Sequence, residues 1–447
     1  MNKNSIDMVN GPLLKNIFIF CFPLMAMNLL QMLFNAADTI VVGKFAGQEA
    51  LAAVGATGSL IFLFNSLFQG LSVGTNVVIA NAIGAGDHKR ITKSVSSSIV
   101  MGIVGGIILA FLGLFASRFM LELMSTPGDI IDQSTIYMKI ILCGSIFMVV
   151  YNFGSAILRS KGDTKRPLYF LCISGIINVL LNLLFVIVFH LDVVGVAAAT
   201  IISQAIGCLM LLYTLTHEND ATRVDLRKLC LDFDVVKETM RIGIPAGLQG
   251  MAFSLSNVVI QSSINSFDSS IIVAGNSAAA NVENFTYIGM MAFAQATITF
   301  TSQNVGAKRK DNVKKIMWYT MVLDLSSSFI AGVLVWYFGD FLLGLYNDNP
   351  MVIANGKIRL FYVCVFLFLN GAMDIYINSM RGMGRSSLPT VSMVIGVCGV
   401  RLLWLWFVFP QFRTLDMIYI CYPISWLVTT VFEAVLWIDT HKKLMNE

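Results

Sequence analysis

Asn28, Gln31, Asn35 and Asp38 recur at intervals of three, four and three residues inside the otherwise apolar run FPLMAMNLLQMLFNAADTIVV. At about 100° per residue, the four fall within about 80° of one another on a helix and form one stripe. A carboxylate at the end of such a stripe can load and release a proton, because burial favours its neutral form and water access restores the charged one. Two more stripes follow the same spacing logic, Asn65, Gln69, Ser72 and Asn76, then Ser254, Asn257, Gln261 and Asn265. A polar stripe on a spanning helix faces protein or water, not acyl chains. Singly, such an amide glues helices together for about a kcal/mol or less; as a set, the three stripes predict a water-filled central cavity.

Acids within apolar runs are few: Asp38, Glu283, Asp324, Asp374 and Glu433. A carboxylate at a bilayer centre costs about 2.5 to 3.5 kcal/mol on insertion scales, so each calls for a partner or a function. Glu433, within two turns of a run's end, is expected at the interface. Asp324 lies in mid-run with no stripe and is expected to pair locally.

The elements that must hold these residues are long apolar helices. The chain has 447 residues, of which 56% are hydrophobic and 13% charged, and its mean hydropathy is +0.75. A soluble chain of this length keeps roughly a quarter of its residues charged, so this composition is that of a membrane protein. Twelve runs are long enough to span a bilayer as helix: 13–42, 51–83, 92–117, 133–157, 167–189, 194–216, 237–265, 272–304, 315–338, 353–380, 389–410 and 417–438. The N-terminal run has no small-residue cleavage site and reads as a retained first span rather than a signal peptide. With the N-terminus inside, the inward segments hold 23 of the 30 Lys and Arg residues, the outward segments hold six, and Arg401 lies within a span. That asymmetry predicts both termini on the cytoplasmic side.

A constant shift of 222 residues superposes the punctuation of the two halves: Pro23 on Pro245, Gly84 on Gly306, Arg159 on Arg381, Gly162 on Gly384 and Pro167 on Pro389. Six crossings return the chain to its starting side, so the halves are parallel repeats, an arrangement suited to transport by two bodies that rock about a shared site. The predicted fold is an all-α polytopic membrane protein, twelve transmembrane helices in two pseudo-symmetric six-helix lobes around a central cavity. Its parts are an N-terminal lobe at 1–216, a cytoplasmic linker at 217–236 and a C-terminal lobe at 237–447. The repeat leaves Asp38 unmatched, because its mate is Ile260.

Other chemistries find no support in the residues. The basic residues form no extended face with interleaved aromatics, which argues against nucleic acid. Seven of the eight cysteines lie in apolar runs without a CxxC pair, and the four histidines have no partner at metal or triad spacing, so neither a zinc site nor a soluble-enzyme constellation is indicated. GAGDHKR follows a membrane span and lacks the GxxxxGK[ST] pattern of a phosphate loop, so ATP-driven transport is not encoded here.

Several stretches together resemble the multidrug and toxic compound extrusion (MATE) family: FPLMAMNLLQMLFNAADTIVVGKFAG with ALAAVG, NAIGAGD and LRSKGDTKRPLYF in the first half, then IPAGLQGMAFSLSN, AANVENF, TSQNVGAKRKD and MRGMGRSSLP in the second. The resemblance covers nearly the whole chain and is nearest to bacterial drug-efflux members. It implies a V-shaped pair of lobes whose cavity opens alternately to each side, in exchange of organic cations for protons or sodium. Asp38 matches the acid of the family's first-helix ion site, and Tyr137, Asn178, Asn182 and Thr200 lie at similar family positions; Asn35, one turn before Asp38, completes the expected ion set. Where some members carry a second acid, this chain has Asn182, so Asp38 is the only acid of that set. It can bind one proton, or sodium through Asp, Asn, Tyr and Thr oxygens.

The residues expected to line the substrate cavity are Gln31, Asn65, Gln69, Gln249, Asn257, Gln261, Glu283, Tyr287, Met291 and Asp374. Glu283 and Asp374 can neutralise a cationic substrate or second ion, or can pair with a basic residue such as Arg401. Tyr287 with Met290 or Met291 suits an amphipathic cation through ring-face and polarizable contacts. The expected activity is ion-coupled export of amphipathic cations, without catalysis or a cofactor other than the coupling ion. The chain is expected to work as a monomer, in contact with membrane lipid, in a bacterial plasma membrane. A lipid-linked sugar flippase of the same superfamily, or a non-transporting receptor or membrane enzyme, is the alternative.

Overall fold

A computed structural model describes residues 6–124 and 126–446, and among them there is no β-strand. The helices longer than ten residues are α1 (Leu13–Ala46), α2 (Gly47–Ala85), α3 (His88–Leu123), α4 (Ile131–Ser160), α5 (Lys165–Val188), α6 (Asp192–Thr216) and α7 (Phe233–Asn265). They continue with α8 (Ser270–Glu283), α9 (Tyr287–Gly306), α10 (Lys310–Tyr337), α11 (Pro350–Gly382), α12 (Ser387–Gln411) and α13 (Leu415–Asn446). Among the described residues, 11 of the helical segments are individually long and apolar enough to cross a membrane. The run predicted at 272–304 is not one helix: α8 and α9 are joined by a 3-10 turn at Asn284–Thr286. There the Thr286 hydroxyl donates to the Glu283 carbonyl at 2.6 Å, a local bond of the kind that competes with helix continuation.

The chain forms two compact units. One holds Ala26–Gly247, the other Asp7–Met25 and Leu248 onward. The handovers, after Met25 in α1 and after Gly247 in α7, are themselves 222 residues apart and follow Pro23 and Pro245 by two residues. The second unit therefore begins inside α7, later than the boundary at 237 drawn from hydropathy, and it also claims the first turns of α1.

In the first unit α4 is central and packs on α2, α3 and α6. One cluster buries Ile79, Ile99, Ile157 and Leu211; another joins Val41 and Val42 of α1 to Val186 and Val196, with Tyr137 against it. The segment after α6 belongs to this unit. Val224 is buried and donates its N–H to the Leu215 carbonyl at 3.0 Å, and the Cys230 and Asp232 N–H groups donate to Ser96 and Ser97 hydroxyls at 2.7 and 2.9 Å. Glu218, almost fully buried, is ion-paired with Lys161 at 2.7 Å and with Arg166 at 2.5 Å. Buried charges persist only when paired in this way, so the basic loop between α4 and α5 and the acidic start of the linker hold each other.

In the second unit α11 is packed by α8, α9, α10 and α13. Gly332 of α10 has a role no other residue can fill: a Cβ there would lie 1.9 Å from the Cys364 carbonyl oxygen, where α11 widens into a π turn at Phe361–Val365. The core of this unit joins Leu367, Met373 and Ile377 to Tyr419, Tyr422 and Trp426.

Candidate functional site

The first unit brings three of the expected ion residues together. Asp38 lies on the fourth turn after Pro23, and Asn178 and Asn182 lie one turn apart on α5. Asn182 donates through Nδ2 to Asp38 Oδ1 at 2.6 Å and to Asn178 Oδ1 at 3.3 Å. A primary amide has two N–H donors and one carbonyl acceptor, and with both acceptors on the nitrogen side the Asn182 Oδ1 is left buried without a partner. Leaving a buried acceptor unmade costs roughly 1 to 3 kcal/mol. The buried atom without a partner is thus an oxygen, Asn182 Oδ1, and it lies in a group of a carboxylate and two amide carbonyls, oxygen ligands of the kind that hard cations prefer. The wide turns of Leu183–Val188 begin directly after Asn182.

Tyr137 lies within electrostatic range of Asp38 and is half-buried on α4. Thr200 is half-buried on α6 and its hydroxyl donates to its own helix at Val196 O, 2.9 Å away. Asn35 is exposed and its carbonyl accepts from Thr39 at 2.9 Å; neither Thr200 nor Asn35 bonds to the carboxylate among the described residues. Gln31 and Gln69 are exposed and Asn65 is half-buried.

The second unit holds two polar networks. In one, Arg359 of α11 makes a bidentate ion pair with Glu283, at 2.8 and 2.7 Å, and also donates to Asn276 Oδ1. Asn276 accepts from the Tyr419 hydroxyl at 3.0 Å and donates to Gln261 at 2.8 Å, and Gln261 donates to Asn265 at 2.8 Å. The charge of Glu283 is therefore matched, by Arg359 and not by Arg401. Arg359 is buried within α11. Arg401 lies 4.3 Å from the Tyr422 ring centroid and donates to Ser425 and Ser256 at 3.1 and 3.2 Å. Tyr287 is half-buried against the core, Met290 is buried, and Met291 and Asn257 are exposed.

The other network starts at Asp374, whose Oδ1 accepts from Gln249 Nε2 at 3.5 Å; Gln249 Oε1 in turn accepts from Arg381. Two acids from the sequence converge here against expectation. Asp324 is fully buried beside this group, and Glu433, expected at the interface, has no exposed surface. Arg359, Asn276 and Arg381 were not singled out as site residues on sequence. The signal available for Arg359 was its place in the apolar run IRLFYVCVF, where an unpaired guanidinium would be too costly.

The profile of the MatE family matches this chain twice, over residues 23–184 and 245–407. The chain belongs to the MatE family. The two starts are 222 residues apart, so the family's own repeat coincides with the internal shift. As a MATE protein the chain is a multi-pass membrane transporter of the multidrug-efflux type, built as two six-helix lobes. It is similar to the probable multidrug resistance protein YpnP of Bacillus subtilis (strain 168), 28% identical with 80% of each chain covered. A second relative, the probable multidrug resistance protein YoeA of the same strain, is 27% identical over 93% of this chain and 91% of its own. Among solved structures, an outward-facing multidrug resistance MATE family transporter superposes with a TM-score of 0.92 over 100% of both chains at 21% identity, a likeness of fold. In this MATE chain Asp38, Asn178 and Asn182 lie in the first matched half, Glu283 and Asp374 in the second, and Glu433 lies beyond both.

Proposed function

We propose that this MATE transporter is an ion-coupled antiporter that exports amphipathic cations, with the ion bound at Asp38. The observation that carries the reading is the Asp38, Asn178, Asn182 cluster: a carboxylate bonded on one side to an amide whose own buried oxygen lacks a partner. A proton on Asp38, or a sodium ion held among these oxygens, completes the unmet valences. Tyr137 and Thr200, on neighbouring helices, are further oxygen donors for sodium. A ligand that binds one conformation better than another shifts the population toward it, so loading and emptying of this site drive alternating access.

The small-molecule substrate is an organic cation, consistent with multidrug resistance names among the relatives. Within the first unit Gln31 and Gln69, and within the second Asn257 and Met291, have exposed surface suited to such a cation. The transporter works as a monomer in a bacterial plasma membrane with both termini in the cytoplasm, the side on which 23 of its 30 basic residues are expected. Purified protein in liposomes preloaded with unlabelled ethidium is expected to accumulate labelled ethidium by counterflow. Exchange of a lipid-linked sugar with no exchange of ethidium would replace this reading by that of a flippase.

A further inference from the structure

The group around Asp374 contains more acid than base, and its atoms are poorly satisfied. Asp324 of α10 is fully buried; Oδ1 accepts only a long 3.4 Å bond from Ser328, and Oδ2 has no partner. That Oδ2 lies 1.9 Å from where a Cβ on residue 371 would stand. Gly371 is thus the gap in α11 that admits the carboxyl, three residues before Asp374 on the same helix face. Glu433 of α13 approaches from another side. One turn before it, the Thr430 hydroxyl donates to the Leu369 carbonyl at 3.0 Å, and one turn after it Trp437 Nε1 donates to Ser379 Oγ at 2.9 Å. Residues 430, 433 and 437 share a face, so Glu433 points at the stretch of α11 that has Asp374 at its middle. Glu433 is fully buried and neither carboxyl oxygen meets hydrogen-bond geometry with any partner, although the Ser392 hydroxyl of α12 faces it.

The remaining groups that face this cluster are few. Cys21 of α1 faces Asp324, and Gln249 of α7 bonds Asp374. Among the described residues the one cation facing it is Arg381, which donates to Gln249, to Asn378 at 3.3 Å and to Thr390 at 3.1 Å. It reaches Asp374 through Gln249, and no carboxylate lies at ion-pair distance from it among the described residues. Asp374 and Glu433 face the Arg381 guanidinium and Asp324 lies beside Asp374, so three ionised carboxylates would leave two negative charges unmatched in a dry interior, where an unpaired ion is far costlier than its neutral form. The two carboxyls with unpartnered oxygens are Asp324 and Glu433; Asp374 is the one reached by the amide and arginine.

The repeat isolates the same residues. Moving 222 positions back takes Arg381 to Arg159, but Asp324, Asp374 and Glu433 to Gly102, Asn152 and Leu211. The first half keeps the arginine and has none of the acids, so the acids are not needed to build a lobe of this kind. We infer that Asp324 and Glu433 form a proton-binding pair in the second unit, separate from Asp38, each carrying one exchangeable proton while Asp374 stays ionised toward Gln249 and Arg381. The step is a proton transfer only: each carboxylate takes a proton from water that enters the cluster and returns it to water when the helices part.

Infrared spectroscopy of the purified full-length transporter reads this directly, because a protonated carboxyl has a carbonyl band that a carboxylate lacks. At neutral pH the wild type is expected to show protonated-carboxyl bands that move in deuterium oxide during turnover. Asp324→Asn and Glu433→Gln should each remove one band, and Asp38→Asn should remove neither of those two. Carboxyl bands that survive both substitutions unchanged would overturn the inference, as would bands that never exchange with deuterium. If one amide variant does not fold, the other variant and the wild-type exchange still decide. Because the two bands are assigned by Asp324→Asn and Glu433→Gln in a protein that keeps Asp38, failure here leaves the Asp38 reading standing, and failure of that reading leaves this one.

Discussion

Asp38→Asn is expected to reduce gradient-driven efflux from proteoliposomes to the protein-free background while leaving the transporter folded. The substitution keeps the size of the side chain and its place on the α1 stripe, but it cannot carry the exchangeable proton or the negative charge that a cation requires. Asn182 donates to Asp38 Oδ1 at 2.6 Å, and an amide oxygen at position 38 can accept the same bond, so the packing of α1 on α5 is preserved. Binding of a fluorescent organic cation to the detergent-purified variant should therefore remain within a fewfold of wild type, since no energy has been removed from the substrate contacts themselves. Two outcomes would contradict the account. Efflux at the wild-type rate would show that the carboxylate is dispensable, and loss of the folded protein from the membrane would show that its part is structural.

The second large effect is on stability and concerns Arg359. Its guanidinium holds Glu283 by two bonds of 2.7 and 2.8 Å and also donates to Asn276, with Tyr422 and Tyr419 rings each 6.0 Å away. Both charged side chains are buried. Removing one member of a buried pair strands the other, at a cost of roughly 3 to 5 kcal/mol. Arg359→Ala and Glu283→Ala should each lower the thermal unfolding midpoint in detergent by a large margin. The double replacement Glu283→Met with Arg359→Met should be less damaging than either, because no charge is left stranded. Singles as stable as wild type but with altered affinity for an organic cation would instead make Glu283 a substrate-facing acid whose pairing with Arg359 is incidental.

Much of the architecture was legible because membrane insertion leaves few choices. Apolar runs of about 20 residues had to be helices, and the 222-residue shift could be read from Pro23, Arg159 and Pro167 without any coordinates. The interruption at Asn284–Thr286 was not legible, since a side-chain bond from Thr286 to the helix backbone leaves the hydropathy of the run unchanged. The Asp38 stripe shows what periodicity can and cannot give. Spacing put Asn35 and Asp38 on one face, yet Asn35 is exposed and the bonded partner comes from α5, 144 residues away. The partners Asn178 and Asn182 came from resemblance, not from spacing.

The second half was harder for a related reason. Glu283 has its counterion in Arg359, and an isolated residue in an apolar run gives no sign of which other helix will meet it. Depth was misleading for Glu433, which is near the end of a run but turned inward by the same face that anchors Thr430 and Trp437 on α11. Asp324 had no stripe at all. Its neighbour is a glycine, and only the close approach of α10 to α11 makes Gly371 part of its surroundings.

The most direct test of ion-coupled export through Asp38 is efflux of a labelled organic cation from liposomes holding the purified wild type, first under a pH gradient alone and then under a sodium gradient alone. The account predicts that at least one gradient drives efflux and that the matching ionophore abolishes it. Efflux that ignores both gradients, or that runs equally well with neither imposed, would contradict it.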